Sequence, residues 1–319
     1  MTNDGSTANP SAGGSNPHAA GFVVMTAAYN EQEHIGETIE SMLSQTLLPR
    51  RWVIASDGST DGTDAIIERY AAQHDFIRFL RISRAPGRSF GSKVAALHKA
   101  YQLFEGLSYD FIGNLDADVT IDPNYYADLI AHFERTPQLG IAGGLVFEES
   151  NGVFQGRRAN RIYSVAHAGQ LVRRSCFEAI NGYAILEYGG EDWHAQINAR
   201  MKGWTAESVP ELKIYHHRHT GKAGSILRHK FRQGRMDYGF GSDPVFEILK
   251  CVERFAEPPW IAGGLSRLCG FIWSTIRRDK RPVSNEFVAF LRSEQRQKIS
   301  ALFARSEQNA VAKPSSWRA

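Results

Sequence analysis

Asp116 and Asp118 stand one residue apart in LDAD, directly after the apolar run that ends at Leu115. Side chains at i and i+2 of an extended segment point the same way, so both carboxylates can face one cation. Paired oxygen donors suit Mg²⁺ or Mn²⁺, which complete their shells with water and phosphate oxygens. A solvated acidic turn, with Asp122 opening the next helix, is the plainer account of the same residues. Asp57 lies in SDGSTDGT, where it could accept hydrogen bonds from a base or a ribose. Such Ser/Asp/Gly clusters also make ordinary turns, and Thr63 is a fitting N-cap. Tyr29 in AAYNE offers a ring face to a nucleobase, with Glu31 nearby as an acceptor.

The elements that must position these residues follow from apolar spacing. Strands are predicted at 21–28, 52–55, 76–82 and 110–115, and helices at 33–45, 63–74 and 92–104. Strands alternating with helices mean an α/β fold, a doubly wound and mostly parallel sheet with helices on both faces. Ligands of such sheets sit at the carboxyl ends of strands. Tyr29 and Glu31 follow the first strand, Asp57 the second, and Asp116 and Asp118 the fourth. Beyond Phe147 the rhythm weakens: helices are expected at 171–180, 191–202 and 225–235, with a strand at 209–217.

AAYNE at 27–31, SDGSTDGT at 56–63 and LDAD at 115–118, in this order, resemble the family 2 glycosyltransferases of GT-A fold. The family's fuller patterns read PAYNE and DDGSTDGT, so Ala27 and Ser56 depart from it, while Asp57 keeps the aspartate that reads uracil. The resemblance implies a nucleoside-diphosphate sugar donor, with Tyr29, Glu31, Asp57 and Asp116 on its side of the site. RSFGSKVAALHKA at 88–100 is similar to the family's basic stretch before its third helix, which adds Arg88 and Lys93. GGEDWHAQINARMKGW at 189–204 resembles the start of the acceptor-side helix, implying Asp192 as base with Glu191 beside it. Transfer to a hydroxyl requires such a carboxylate within hydrogen-bond reach, although acidic residues also favour helix N-termini for their dipole. HHRHTG at 216–221 supplies His217 and His219, on one face of a continued strand, for the metal or diphosphate; a polar loop is the plainer reading. The resemblance spans about 21–240 and extends to a bacterial polysaccharide-assembly type.

The chain has 319 residues, 42% of them hydrophobic and 22% charged, so a core can form and wholesale disorder is excluded. Residues 1–160 carry 12 Lys/Arg against 19 Asp/Glu, and residues 161–319 carry 25 against 15. An acidic half joined to a basic half suits holding a cation and meeting an anion. Three scattered cysteines give no disulfide framework or zinc pair and fit a reducing, cytoplasmic setting.

Residues 1–20 and 306–319 read as disordered, leaving a catalytic domain at 21–240 and a helical C-terminal extension at 241–305. Within the extension, 260–276 is too interrupted for a bilayer span. It reads first as a buried core helix and second as a helix on the inner membrane surface, flanked by Arg277, Arg278, Lys280 and Arg281. Basic residues are not interleaved with aromatics in one motif, so no nucleic acid is expected. The expected activity is inverting transfer of a sugar from a nucleoside-diphosphate donor, UDP-linked, to a hydroxyl of a glycan or lipid-linked acceptor. A sugar-phosphate nucleotidyltransferase is the alternative enzyme, disfavoured because AAYNE stands where its glycine-rich loop belongs. A non-catalytic nucleotide-sugar-binding protein is the alternative without chemistry.

Overall fold

The computed structural model describes residues 20–83, 91–150, 152–157, 160–218 and 226–311. Strand β1 (Phe22–Ala28) lies between β2 (Arg51–Asp57) and β4 (Phe111–Leu115), with β3 (Ile77–Ile82) outside β2. All three pairings are parallel. This half of the sheet is wound with α1 (Ile35–Leu43), α2 (Thr63–Ala71) and α3 (Gly91–Gln102). β1 shows why helices cover both faces. Phe22 and Val24 enter one core with Ile39, Trp52 and Tyr126, while Val23 and Met25 enter another with Val53, Val94 and Leu97. Strands buried on both sides carry continuous apolar runs, as parallel sheets require.

The second half begins with β5 (Val119–Ile121) and α4 (Tyr125–Arg135), then β6 (Leu139–Ser150), β7 (Val153–Gly156) and β8 (Gly169–Arg173). It closes with α5 (Arg174–Ala179), α6 (Glu191–Met201) and β9 (Thr205–His216). The sheet order is β3-β2-β1-β4-β8-β6-β9-β5, with β7 hairpinned onto β6. β8 runs antiparallel to both neighbours, so parallel order breaks beyond β4. The helix expected at 171–180 is corrected to a strand, β8, followed by a short helix. Leu171 and Val172 face opposite cores, an alternation that continuous apolarity conceals.

Helices α7 (Ile226–Gly239), α8 (Pro244–Glu253), α9 (Ile261–Arg277) and α10 (Asn285–Val311) complete the chain. α7 packs backbone to backbone on α9. α10 continues to Val311, past the expected start of a tail at 306.

The expectation of a core helix at 260–276 is also corrected. α9 buries Gly263, Gly264, Arg267, Gly270, Phe271 and Ser274 and leaves most of its large apolar side chains outside. Among the described residues no helix is long and apolar enough to cross a membrane.

The α7–α9 crossing depends on glycine. A Cβ on Gly270 would sit 1.9 Å from the Phe231 carbonyl oxygen, and one on Gly234 1.8 Å from that of Arg267. Neither backbone can yield without separating the helices. Gly270→Ala is expected to cost roughly 1–3 kcal/mol of overpacking in urea unfolding. Gly36→Ala, on α1 with open space around its Cβ, should instead stabilise by up to about 1 kcal/mol.

Candidate active site

The loops after β1 and β2 are laced together. Asn30 takes a left-handed φ of 54°, which an Asn tolerates better than most residues. Its amide oxygen accepts from Thr60 N at 2.8 Å, and its N–H donates to Ser59 Oγ at 3.1 Å. Gln32 Oε1 accepts from Gly62 N at 2.8 Å, and Glu31 N donates to Thr63 Oγ1 at 2.8 Å. This brace sets Tyr29, Glu31 and the nearly buried Asp57 at neighbouring strand ends. Ser56 is not idle: its hydroxyl donates to Asp64 Oδ1 at 2.5 Å and lies 2.9 Å from Ser59 Oγ, whose own proton it can accept. Gln32 escaped the sequence reading, and Asn30 stood in it only as a distinctive residue after the first strand, without this bracing role.

At the end of β4, Lys93 Nζ lies 2.7 Å from Asp116 Oδ1. Burial works to raise the Asp116 pKa, but Lys93 and then His167 outweigh it and hold the group well below the usual carboxylate range. Asn114 Nδ2 donates to the same oxygen at 3.1 Å and to the His167 carbonyl at 2.7 Å. The His167 ring reaches Glu191 Oε1 at 3.9 Å. Asn114 and His167, both buried, thus connect the acidic turn to the start of α6. Neither stood out in the sequence.

His216, the last residue of β9, completes a cluster with Asp116 and Asp118 whose ligand atoms all lie within 4.8 Å of one another. His216 Nε2 is 3.4 Å from Asp118 Oδ1, and its Nδ1 meets the Arg218 carbonyl oxygen. With Nδ1–H donating there, the Nε2 lone pair turns toward the aspartates. Two carboxylates and an imidazole fit Mn²⁺, and fit Mg²⁺ less well.

His217 is not brought into the cluster. Successive strand residues point oppositely, and His217 Nε2 contacts Thr120 Oγ1 at 3.0 Å while its ring stacks on His34. Arg88 and His219 lie outside the described residues.

Two carboxyls of the site are held above their ordinary range. Glu31 is pushed up to about 7, first by burial and then by the charge of Asp118, despite the Arg218 guanidinium that grips it at 3.0 and 2.6 Å. Asp192 is pushed up to about 6 by burial and by neighbouring Glu191. Gly189 and Gly190, at φ 82° and 89°, make the turn that starts α6 there.

The glycosyl transferase family 2 model matches residues 23–187, just over half the chain. The chain belongs to that family. A family 2 glycosyltransferase accounts for the laced loops and the acidic turn; Asp192 and His216 lie beyond the matched segment and rest on geometry. Poly-beta-1,6-N-acetyl-D-glucosamine synthase of Staphylococcus epidermidis is 33% identical over 127 residues, 39% of this chain. The match spans only 28% of that relative's length.

Among solved structures, a mannosyltransferase of Pyrobaculum calidifontis, in complex with GDP-Man and Mn²⁺, matches with a TM-score of 0.52 at 15% identity. That match covers 92% of this chain and 81% of that one. TarS 1–349 of S. aureus, in complex with UDP-GlcNAc, matches at 0.50 and 16%, covering 85% and 78%. These likenesses establish the GT-A fold.

The raised Asp192 pKa carries a stability consequence. Its protonated form favours folding, a contribution fully present below the free value of 3.8 and lost as pH rises through about 6. Asp192→Asn is therefore expected to exceed wild type in stability at pH 8, by at most about 3 kcal/mol, with the gap closing at pH 4. Thermal unfolding at the two pH values checks it.

Proposed function

We propose that this glycosyltransferase moves a sugar from a UDP-linked donor to an acceptor hydroxyl on a glycan or lipid-linked glycan, with inversion at the anomeric carbon. The observation that carries this reading is the convergence of Asp116, Asp118 and His216 at one end of the sheet. Tyr29, Glu31 and Asp57, at the adjoining strand ends, hold the nucleoside. Asp116, Asp118 and His216 would hold Mn²⁺ or Mg²⁺, which when bound neutralises charge on the departing diphosphate. Lys93 keeps Asp116 ionised and adds positive charge beside the phosphates.

Asp192 accepts the proton of the acceptor hydroxyl as its oxygen bonds to the anomeric carbon. The bond from that carbon to the diphosphate oxygen breaks on the opposite face, and the nucleoside diphosphate leaves with the electron pair. A carboxyl near pH 6 is a fitting base: ionised at neutral pH, yet more basic than a free aspartate. Glu191 contributes by raising its neighbour's basicity, and Asn114 and His167 connect α6 to the metal turn. The UDP preference is supported by Asp57 and by the relative named for N-acetylglucosamine polymer synthesis, whereas one structural neighbour carries GDP-Man.

Release of nucleoside diphosphate from a panel of UDP- and GDP-sugars, with Mn²⁺ and oligosaccharide acceptors, tests the reading. Asp192→Asn is expected to lower kcat by about 10²–10⁴ while leaving donor binding intact. The wild-type kcat/KM should rise with pH through about 6 and then level. Donor binding with turnover untouched by Asp192→Asn would remove Asp192 as base. Binding without any turnover would favour the non-catalytic alternative.

A further inference from the structure

Helices α8 and α9 are built inside out. On α8, Val245, Ile248, Leu249 and Val252 fall at i, i+3, i+4 and i+7 and are all exposed, while Glu247 and Cys251 are buried. On α9, Ile261, Leu265, Ile272, Trp273 and Ile276 are exposed, Ile276 at 74%.

What the helices turn inward is charge and glycine. Arg267 donates to Asp237 Oδ2 at 2.8 Å and Glu247 Oε1 at 3.3 Å, and Lys250 Nζ reaches the same two carboxyls at 3.0 and 2.6 Å. Gly264 stands against the Cys251 carbonyl, and Gly270 against that of Phe231. A surface helix in water normally does the reverse, whereas small residues between helices and apolar residues outside belong to lipid-facing bundles.

We infer that the outer face of α8 and α9 seats this chain on an anionic lipid surface, as a monotopic attachment without a span. Charge complementarity selects lipid over a second copy. Between Ile272 and Arg281 the cations Arg277, Arg278, Lys280 and Arg281 are accompanied by a single acidic residue, Asp279. Trp260 and Trp273, both exposed, are the amphipathic rings that sit at headgroup level, and basic residues beside an apolar helical face draw anionic lipid. The placement also suits the chemistry. A cleft lined by Tyr188, Gly189, Arg235, Met236, Ser274 and Lys280 joins the basic end of α9 to the turn that leads into Asp192.

Flotation of the full chain with phosphatidylcholine vesicles, with and without phosphatidylglycerol, tests the inference. Wild type is expected to float with the anionic vesicles and to be released by salt. Ile272→Glu/Ile276→Glu, at exposed positions where folding is not at stake, should weaken flotation by about tenfold or more. Arg277→Glu/Arg278→Glu should abolish the preference for anionic lipid. Retained circular dichroism and retained UDP binding exclude misfolding and keep this result separate from the active-site reading. No flotation, or flotation that the isoleucine pair leaves unchanged, overturns the inference. So does a stable dimer in solution that the same pair dissociates.

Discussion

The ion pair between Lys93 Nζ and Asp116 Oδ1, 2.7 Å long, is the contact around which the site is arranged. Glu31, Asp116, Asp118, Glu191 and Asp192 all gather at one end of the sheet, and like charges so placed oppose one another's ionisation. Lys93 resolves the conflict for Asp116, whereas for Asp192 its charge only offsets part of the rise. Its own ammonium is disfavoured by burial but restored by Asp116 and Glu191. Asp192 and Glu31 keep raised pKa values, so the crowding of carboxyls at this end of the sheet is only partly relieved. A divalent cation held by Asp116, Asp118 and His216 would relieve it, and the proposed metal dependence rests on these electrostatics.

The first half of the fold was legible because each element has a single job. β1 to β4 are apolar runs buried on both faces, and α1 to α3 carry one apolar stripe each. The residues proposed to hold the nucleoside came with them, since they stand at strand ends whose positions were read to within a few residues. β6 was not legible, for a steric reason. In LGIAGGLVFEES a Cβ on Gly144 would lie 2.5 Å from the Leu212 carbonyl oxygen and one on Gly140 2.6 Å from Cys176 Sγ. Tight packing against β9 and α5 selects glycine there, and glycine erases the strand signature.

The structure brings His216, rather than the expected His217, to the two aspartates, a difference of one residue of register. Sequence shows three histidines in four positions, but which of them faces the aspartates depends on the parity at which β9 meets β5. That parity is fixed by a ladder, Val119 opposite His216, between segments almost a hundred residues apart. α9 was misjudged for a different reason. Apolarity tells that a side chain avoids water, not whether protein or another apolar medium covers it. The glycines and the arginine in 261–277 already mark the inward face, once Arg267 is known to have Asp237 and Glu247 as partners.

The extension is not separate from the chemistry. Phe240, Phe287 and Leu291 pack with Ile197 of α6, and Arg200 is held by Glu294 at 2.7 and 3.0 Å. The helix that opens with Glu191 and Asp192 is therefore clamped between the sheet on one side and the C-terminal helices on the other. Isothermal titration of UDP in the presence and absence of Mn²⁺, with wild type, His216→Ala and His217→Ala, tests the central claim most directly. The account predicts Mn²⁺-dependent binding that falls by about tenfold or more in His216→Ala and stays near wild type in His217→Ala. Equal loss in both variants, or UDP binding indifferent to Mn²⁺, would contradict it.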